Sequence, residues 1–439
     1  MSNHIESLFS QAQQAHQGGQ LESARALYSQ ILNIQPQHAP AHAMLGVIHM
    51  QVSDYSLAES LLKKAIELDS TQAHFHINLA GLLYETGREQ ESFDCYENAL
   101  RLNAKNPNFY NSYAMLLQQS GLIKKAIKMY ERALKIDAHR ADIMSNLGSA
   151  YQAVGQFTKA QHILEKSLKI SPQSPHTYTN IGLVFASQKQ FKRAINCYKK
   201  ALSFSPSFTN ALINLGAAYK EAGQYNSAID TLTQLTEKHP DLPEPYGNLG
   251  LVYQDFGDIE KCIHYLTLSN EHFGNNLDTL DSLIYALNYS DRTSQEKIFS
   301  VSKQWEQAFA SPSPCSDFSH IDSSQNRKLR LGFVSGDFRV HSCSFFFIPL
   351  LENLDNTKFE TFCYSTSNKN DALTKKIMSE CDHWRSIDEL SDKDAFNRVQ
   401  ADKIDILVDL SGHTKGNRLT LFSMKPAPIQ INWLGYPNT

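Results

Sequence analysis

The sequence predicts an all-α repeat array followed by a separate α/β domain. Two observations carry this. A 34-residue step runs through about the first two-thirds of the chain, and strands alternating with helices begin near residue 328. With 439 residues there is room for two or three domains. A formal net charge of −4 and the lack of any Lys/Arg-rich run give no support for nucleic acid or an anionic membrane surface as partner. The polar start MSNHIESLFSQAQQ carries no apolar signal region, and no stretch reaches membrane-spanning length. The seven cysteines (Cys95, Cys197, Cys262, Cys315, Cys343, Cys363, Cys381) are odd in number and never spaced CxxC. They suggest neither a disulfide framework nor a zinc site, and they fit a reducing cytoplasm.

The repeats come first. Segments such as ILNIQP, LKIDA and LKISP end at Pro36, Ser70, Ala104, Ala138, Pro172, Pro206 and Pro240, a constant step of 34. A turn glycine recurs at Gly87, Gly121, Gly155, Gly223 and Gly257, and a small residue at Ala24, Ala58, Ala126, Ala160, Ala194 and Ala228. Gly46, Gly148, Gly182, Gly216 and Gly250 form a column in the first helix of each unit; Tyr151, Phe185, Tyr219 and Tyr253 lie three positions on. Small residues let paired helices approach, aromatics fill the gaps, glycine ends the first helix, and proline stops the second. A helix–turn–helix of this period is the tetratricopeptide pattern, which stacks into a right-handed superhelix. Eight units are expected over 5–276: 5–38, 39–72, 73–106, 107–140, 141–174, 175–208, 209–242 and 243–276.

Asparagine occupies the sixth position of a unit at Asn78, Asn146, Asn180, Asn214 and Asn248, with Ser112 interrupting. Stacking would line these amides along the groove-facing first helices. An amide both donates and accepts, so such a row can hold an extended peptide backbone without reading its sequence. The plainer alternative is a consensus residue of the repeat.

Beyond residue 276 the period fails. Connecting helices are expected at 278–290 and 294–310, the second with Ile298, Val301, Trp305 and Ala308 on one face. The Ser/Asp-rich stretch 311–327, with two prolines, reads as a linker. Strands are then expected at 328–335, 359–366, 383–387, 404–411 and 428–435. Helices lie between them, around SFFFIPLLENL, at 371–381, from 392 to about 401, and over NRLTLFSM. This alternation implies a parallel Rossmann-like sheet over 328–439, one nucleotide-binding half, with neither GxGxxG nor P-loop to indicate NAD or ATP.

In such sheets chemistry sits at the carboxyl ends of the strands. Those ends read Ser335-Gly336-Asp337-Phe338-Arg339-Val340-His341, Asp409-Leu410-Ser411-Gly412-His413-Thr414-Lys415 and Leu434-Gly435-Tyr436-Pro437. Asp337 and His341 can orient or deprotonate a hydroxyl nucleophile. Alternatively, Asp337 caps the next helix and His341 is a polar loop residue.

LRLGFVSGDFRVHS, ILVDLSGHTKGNR and KPAPIQINWLGYPNT together resemble the first catalytic half of the nucleocytoplasmic protein O-glycosyltransferases. That family comprises the O-GlcNAc transferases, their bacterial relatives and the plant SPINDLY O-fucosyltransferases. Its members carry a tetratricopeptide superhelix ahead of a two-lobed GT-B region, so the resemblance covers nearly the whole chain. It implies active-site roles for Asp337 and His341 of the D-F-x-x-H motif. It also implies donor-sugar proximity for His413, Thr414 and Arg418 and for Leu434, Gly435 and Pro437, and an acceptor-holding role for the asparagine column.

The implied reaction is inverting transfer of a sugar from a nucleotide donor to Ser or Thr hydroxyls of proteins. GT-B enzymes stabilise the departing nucleoside diphosphate with basic side chains and helix N-termini instead of a metal, so no metal and no cofactor beyond the donor are expected. Two departures stand out. The sequence stops at Thr439, where the first lobe of such an enzyme ends, so a fragment or truncated product, inactive alone, is expected. The stretch Leu280-Asp281-Ser282-Leu283-Ile284-Tyr285 lacks the histidine that O-GlcNAc transferases tend to carry there, as SPINDLY-like members also do. UDP-GlcNAc is the first choice of donor and GDP-fucose the second. The competing function is a non-catalytic tetratricopeptide adaptor.

Overall fold

The computed structural model describes residues 2–103, 105–274, 276–310, 318, 324, 327–414 and 416–434. They fall into two compact units, Met1–Asn214 and Leu215–Thr439. The division lies inside a helix, because an array whose members touch chiefly their neighbours has no natural seam.

The first unit is built of antiparallel helix pairs: α1 (Ser2–Gln17) with α2 (Leu21–Ile34), α3 (Ala39–Gln51) with α4 (Tyr55–Leu68), and α5 (Ala73–Glu85) with α6 (Glu89–Leu102). α7 (Pro107–Gln119) pairs with α8 (Ile123–Ile136), α9 (Ala141–Ala153) with α10 (Phe157–Ile170), and α11 (Pro175–Ser187) with α12 (Phe191–Phe204). The alanine column is fully buried at Ala24, Ala58, Ala126, Ala160 and Ala194. The glycine column is where two helices touch: a Cβ at Gly148 would lie 2.4 Å from Leu164 Cγ, and one at Gly182 2.4 Å from Tyr198 Cε1.

Each first helix ends on a left-handed residue, such as Gly155 (φ 73°), even where the sequence offers Ser53 (φ 60°) or Lys189 (φ 59°). Proline is not needed to end the second helix. α4 and α8 stop where α2 does, and there Asp69 and Asp137 accept the backbone N–H two residues on, each at 3.0 Å.

The second unit begins within α13 (Thr209–Glu221) and continues through α14 (Tyr225–Lys238), α15 (Pro243–Phe256), α16 (Ile259–Phe273), α17 (Leu277–Leu287) and α18 (Gln295–Phe309). Asn276 and Ser294 cap α17 and α18 through the amides of Thr279 and Lys297. Ile298, Val301 and Trp305 are buried as one face of α18, whereas Ala308 points outward.

The α/β lobe runs β1 (Leu329–Ser335), α19 (Ser342–Asn353), β2 (Phe359–Ser365), α20 (Ala372–Glu380), β3 (His383–Ser386), α21 (Asp392–Ala401), β4 (Ile406–Asp409), α22 (Leu419–Ser423) and β5 (Ile429–Asn432). All pairings are parallel, in the order β3-β2-β1-β4-β5. Side-chain alternation along β1 feeds two cores. Leu331 and Phe333 pack with Phe347, Leu351 and Ile377 of α19 and α20, while Val334 packs with Ala395, Val399 and Leu421 of α21 and α22. Helices thus cover both faces, as a parallel sheet requires. β4 is shorter than the expected 404–411 because the amides of Ser411 and Gly412 turn back onto the Asp409 carboxylate (3.0 and 2.9 Å). The expected linker 311–327 lies almost wholly outside the described residues.

Candidate functional site

Strand order reverses between β1 and β4, so a crevice opens at their carboxyl ends. The turn after β1 is set by Ser335, whose Oγ accepts the Asp337 amide at 3.0 Å. The approach is close next: a Cβ at Gly336 would lie 3.0 Å from Thr366 Oγ1 and 3.3 Å from the Gly416 carbonyl of the β4 loop. The Asp337 and His341 motif and the 411–418 loop are therefore immediate neighbours.

Asp337 is buried, while the His341 side chain is about a third exposed (34 %). Asp337 Oδ1 accepts from Arg339 Nε (3.1 Å) and pairs with Arg339 Nη2 (2.9 Å), and its Oδ2 lies 3.6 Å from His341 Nδ1. The same Nδ1 accepts the Cys343 amide at 3.3 Å and so caps α19. The cap therefore falls to His341 and not, as the plainer sequence reading had it, to Asp337. The geometry serves acid–base chemistry. With its proton on Nδ1, directed at Asp337, the imidazole leaves Nε2 as an acceptor; with Nδ1 capping the helix, Nε2 is the donor.

Cys343 completes a group that sequence spacing does not flag. One ligand atom each from Asp337, His341 and Cys343 lies within 4.8 Å of the others. Burial, with the Asp337 carboxylate second, pushes the Cys343 thiol up, which disfavours the thiolate a metal would need. Arg339 already supplies a positive charge to Asp337.

The 411–418 loop is held from three sides. His413 Nδ1 lies 2.7 Å from Asp281 Oδ1 on α17, and its ring meets Trp305 of α18 edge-on (centroids 5.4 Å apart). Thr414 Oγ1 donates to the Ser411 carbonyl at 2.8 Å, closing the turn. Arg418 donates to Asp392 Oδ1 (2.6 Å) and the Leu390 carbonyl (2.7 Å), and also to the Ile387 carbonyl. Asp409, a candidate by position, is buried. Beyond the two loop amides it accepts from Asn432 Nδ2 at 2.7 Å, tying β4 to β5.

Leu434 follows in a left-handed conformation (φ 64°), a strained one for leucine. Gly435 and Pro437 lie outside the described residues. Sequence reading missed Asp281, Trp305 and Asn417. Asp281 is 132 residues from its partner, and no local pattern marks it.

The asparagine column is half-buried throughout. Asn146 Nδ2 donates to Asn111 Oδ1 (3.2 Å), Asn180 Nδ2 to Ser145 Oγ (3.0 Å), and Asn214 Nδ2 to the Asn210 carbonyl (2.7 Å). In Asn146 and Asn180 the amide therefore links first helices of successive pairs.

Residues 281–439 match glycosyl transferase family 41, and the tetratricopeptide family matches 43–107, 107–173, 139–207 and 185–249. The first residue of that match is Asp281, so the matched region includes the carboxyl-terminal part of α17 as well as the sheet. A probable UDP-N-acetylglucosamine–peptide N-acetylglucosaminyltransferase SPINDLY of Solanum lycopersicum is 34 % identical over 162 residues, 36 % of this chain and 17 % of that relative. A UDP-N-acetylglucosamine–peptide N-acetylglucosaminyltransferase of Caenorhabditis elegans is 38 % identical over 125 residues, 27 % of this chain and 11 % of its own length. The matches thus span less than a fifth of these relatives. A solved tetratricopeptide repeat protein from Parabacteroides merdae covers 57 % of this chain and 99 % of its own at TM-score 0.51 and 16 % identity, a likeness of fold. Among the described residues no helix is long and apolar enough to cross a membrane.

Proposed function

We propose that this chain supplies the acceptor-holding repeats and the first catalytic lobe of a protein O-glycosyltransferase. The carrying observation is the Asp337–His341 pair, 3.6 Å apart at the switch point of the family 41 sheet. In this reading the acceptor Ser or Thr hydroxyl gives its proton to His341 as its oxygen attacks the anomeric carbon of a nucleotide sugar. For this His341 must release the Cys343 amide and turn a protonated Nδ1 to Asp337, itself anchored by Arg339, which leaves Nε2 free to accept. The bond to the nucleoside diphosphate breaks as the new glycosidic bond forms. His413, Thr414 and Arg418 shape the loop facing the donor, and Leu434, Gly435 and Pro437 border the sugar. Asn78, Asn146, Asn180, Asn214 and Asn248 grip the acceptor backbone.

UDP-GlcNAc is the proposed donor, in line with the names of the SPINDLY and Caenorhabditis elegans relatives, with GDP-fucose second. Turnover is assigned to this lobe joined to a second, nucleotide-holding lobe, and the compartment to the cytoplasm. The test is His341→Ala and Asp337→Ala in the protein bearing both lobes. Each should reduce transfer to acceptor protein by at least about 100-fold, the scale of a lost acid–base group, while acceptor binding is kept. Undiminished transfer by both variants overturns the site; acceptor binding without transfer by any form favours the adaptor reading.

A further inference from the structure

We propose that Asp281 is a positioning residue of this site: delivered by α17, its carboxylate clasps His413 and Asn417 and fixes the loop that follows β4. The inference rests on the reading of that loop as the donor-facing one.

The clasp is a matter of donors and acceptors. Asp281 Oδ1 lies 2.7 Å from His413 Nδ1, and its Oδ2 accepts Asn417 Nδ2 at 2.8 Å. Asn417 cannot turn its amide round. Its Nδ2 also donates to the Thr414 carbonyl (3.0 Å), and its Oδ1 accepts the Leu419 amide (3.2 Å). The fixed Asn417 donor and the His413 Nδ1 nitrogen thus converge on one side chain, and a carboxylate can accept from both at once. The Asp281 and His413 side chains are both largely buried, at 12 % and 9 % exposure, so neither bond is exchanged freely for water. Trp305 packs edge-on against the imidazole.

The consequence is directional. Held by an acceptor, His413 keeps a proton on Nδ1, and the ring's orientation is set by a helix outside the sheet. The loop it anchors carries Gly416, whose carbonyl accepts Thr366 Oγ1 (2.6 Å) and abuts Gly336 beside Asp337. Displacing α17 or removing its carboxylate therefore shifts the wall of the Asp337 turn.

Three measurements on the full chain test this. In the unaltered protein, nitrogen NMR of labelled histidine, assigned with a His413→Gln variant, should show His413 as the Nδ1–H tautomer; an Nε2–H tautomer overturns the clasp with no demand on the folding of any Asp281 variant. In Asp281→Ala and Asp281→Asn, backbone exchange over 411–418 should rise by about tenfold or more, as a locally opened segment does, with α9–α12 unchanged. The Asn variant should fare little better than Ala, because its NH₂ faces one of the two donors. With the second lobe present, both variants should raise the KM for UDP-GlcNAc about tenfold with a smaller change in kcat, the signature of lost ground-state binding. Unchanged loop exchange with unchanged KM refutes the positioning role. If tautomer and exchange behave as stated but no form transfers sugar, the clasp stands and the glycosyltransferase reading falls.

Discussion

Asp409 is the most deeply buried carboxylate at the sheet's carboxyl edge, 2 % exposed against 7 % for Asp337. Burial pushes its carboxyl above the ordinary range. The amides of Ser411 and Gly412, the Asn432 amide and the nearby His413 all act the other way and are outweighed. A carboxyl that holds its proton more tightly folded than unfolded contributes most stability below the ordinary carboxyl value. That contribution is lost as pH rises through the raised folded value. Asp409→Asn cannot ionise and lacks this slope. The melting temperature of Asp409→Asn minus that of the wild type should therefore climb as pH rises from the ordinary carboxyl value through the raised one, since the other carboxylates cancel in the comparison. A flat or falling difference shows that the carboxyl is not raised.

At the scale of the element, the repeat is governed by two close contacts with opposite demands. Gly148 lies against the branch atom of Leu164, so Gly148→Ala must displace a fully buried leucine. Overpacking costs about 1–3 kcal/mol, against about 1 kcal/mol gained from alanine's helix propensity, and the clash at a branch point puts this site at the upper end. Chemical denaturation should show net destabilisation; unchanged stability would mean that the pair relaxes apart. The turn offers the reverse case. Lys189 holds the left-handed conformation that Gly155 holds one repeat earlier. Lys189→Gly removes about 1–2 kcal/mol of steric cost and adds somewhat less in unfolded-chain entropy, so a gain of up to about 1 kcal/mol is expected by the same measurement. A loss would show that the lysine side chain contributes more than its backbone strain costs.

For the molecule as a whole, the asparagine column decides between enzyme arm and plain scaffold. Asn146 and Asn180 each spend an amide hydrogen on a neighbouring first helix, which leaves their carbonyl oxygens for a ligand backbone. Replacing Asn146, Asn180, Asn214 and Asn248 together by Ala should cost about 1 kcal/mol for each interhelix bond lost, measured by denaturation. It should also weaken the binding of an unstructured acceptor polypeptide at least about tenfold, as loss of backbone hydrogen bonds along a groove would. Undiminished affinity, with the same modest loss of stability, would make the column a packing device.

The array was legible in the sequence because its causes are local. A 34-residue step places Ala58, Gly148 and the turn residues where each helix must be thin or must end, whatever lies elsewhere in the chain. The parallel sheet was legible for the same reason: strands such as 329–335 and 406–409 are short apolar runs between helices. Asp337 and His341 were also within reach, since they sit four residues apart in one turn. Their division of labour was not. Which of them caps α19 depends on where the Cys343 amide points, and that follows from how the helix leaves the sheet.

The partners of Asp409 and His413 were further out of reach. Hydrogen bonds between residues 23 and 132 positions apart leave no periodic trace, because a side chain satisfies its donors and acceptors with whatever the fold brings near. The sequence by itself determined the repeat, its turns, the strand order's raw material and the motif at the end of β1. Only the tertiary structure decided that a helix preceding the sheet supplies the carboxylate holding the β4 loop, because that contact exists only once α17 and the lobe have packed together.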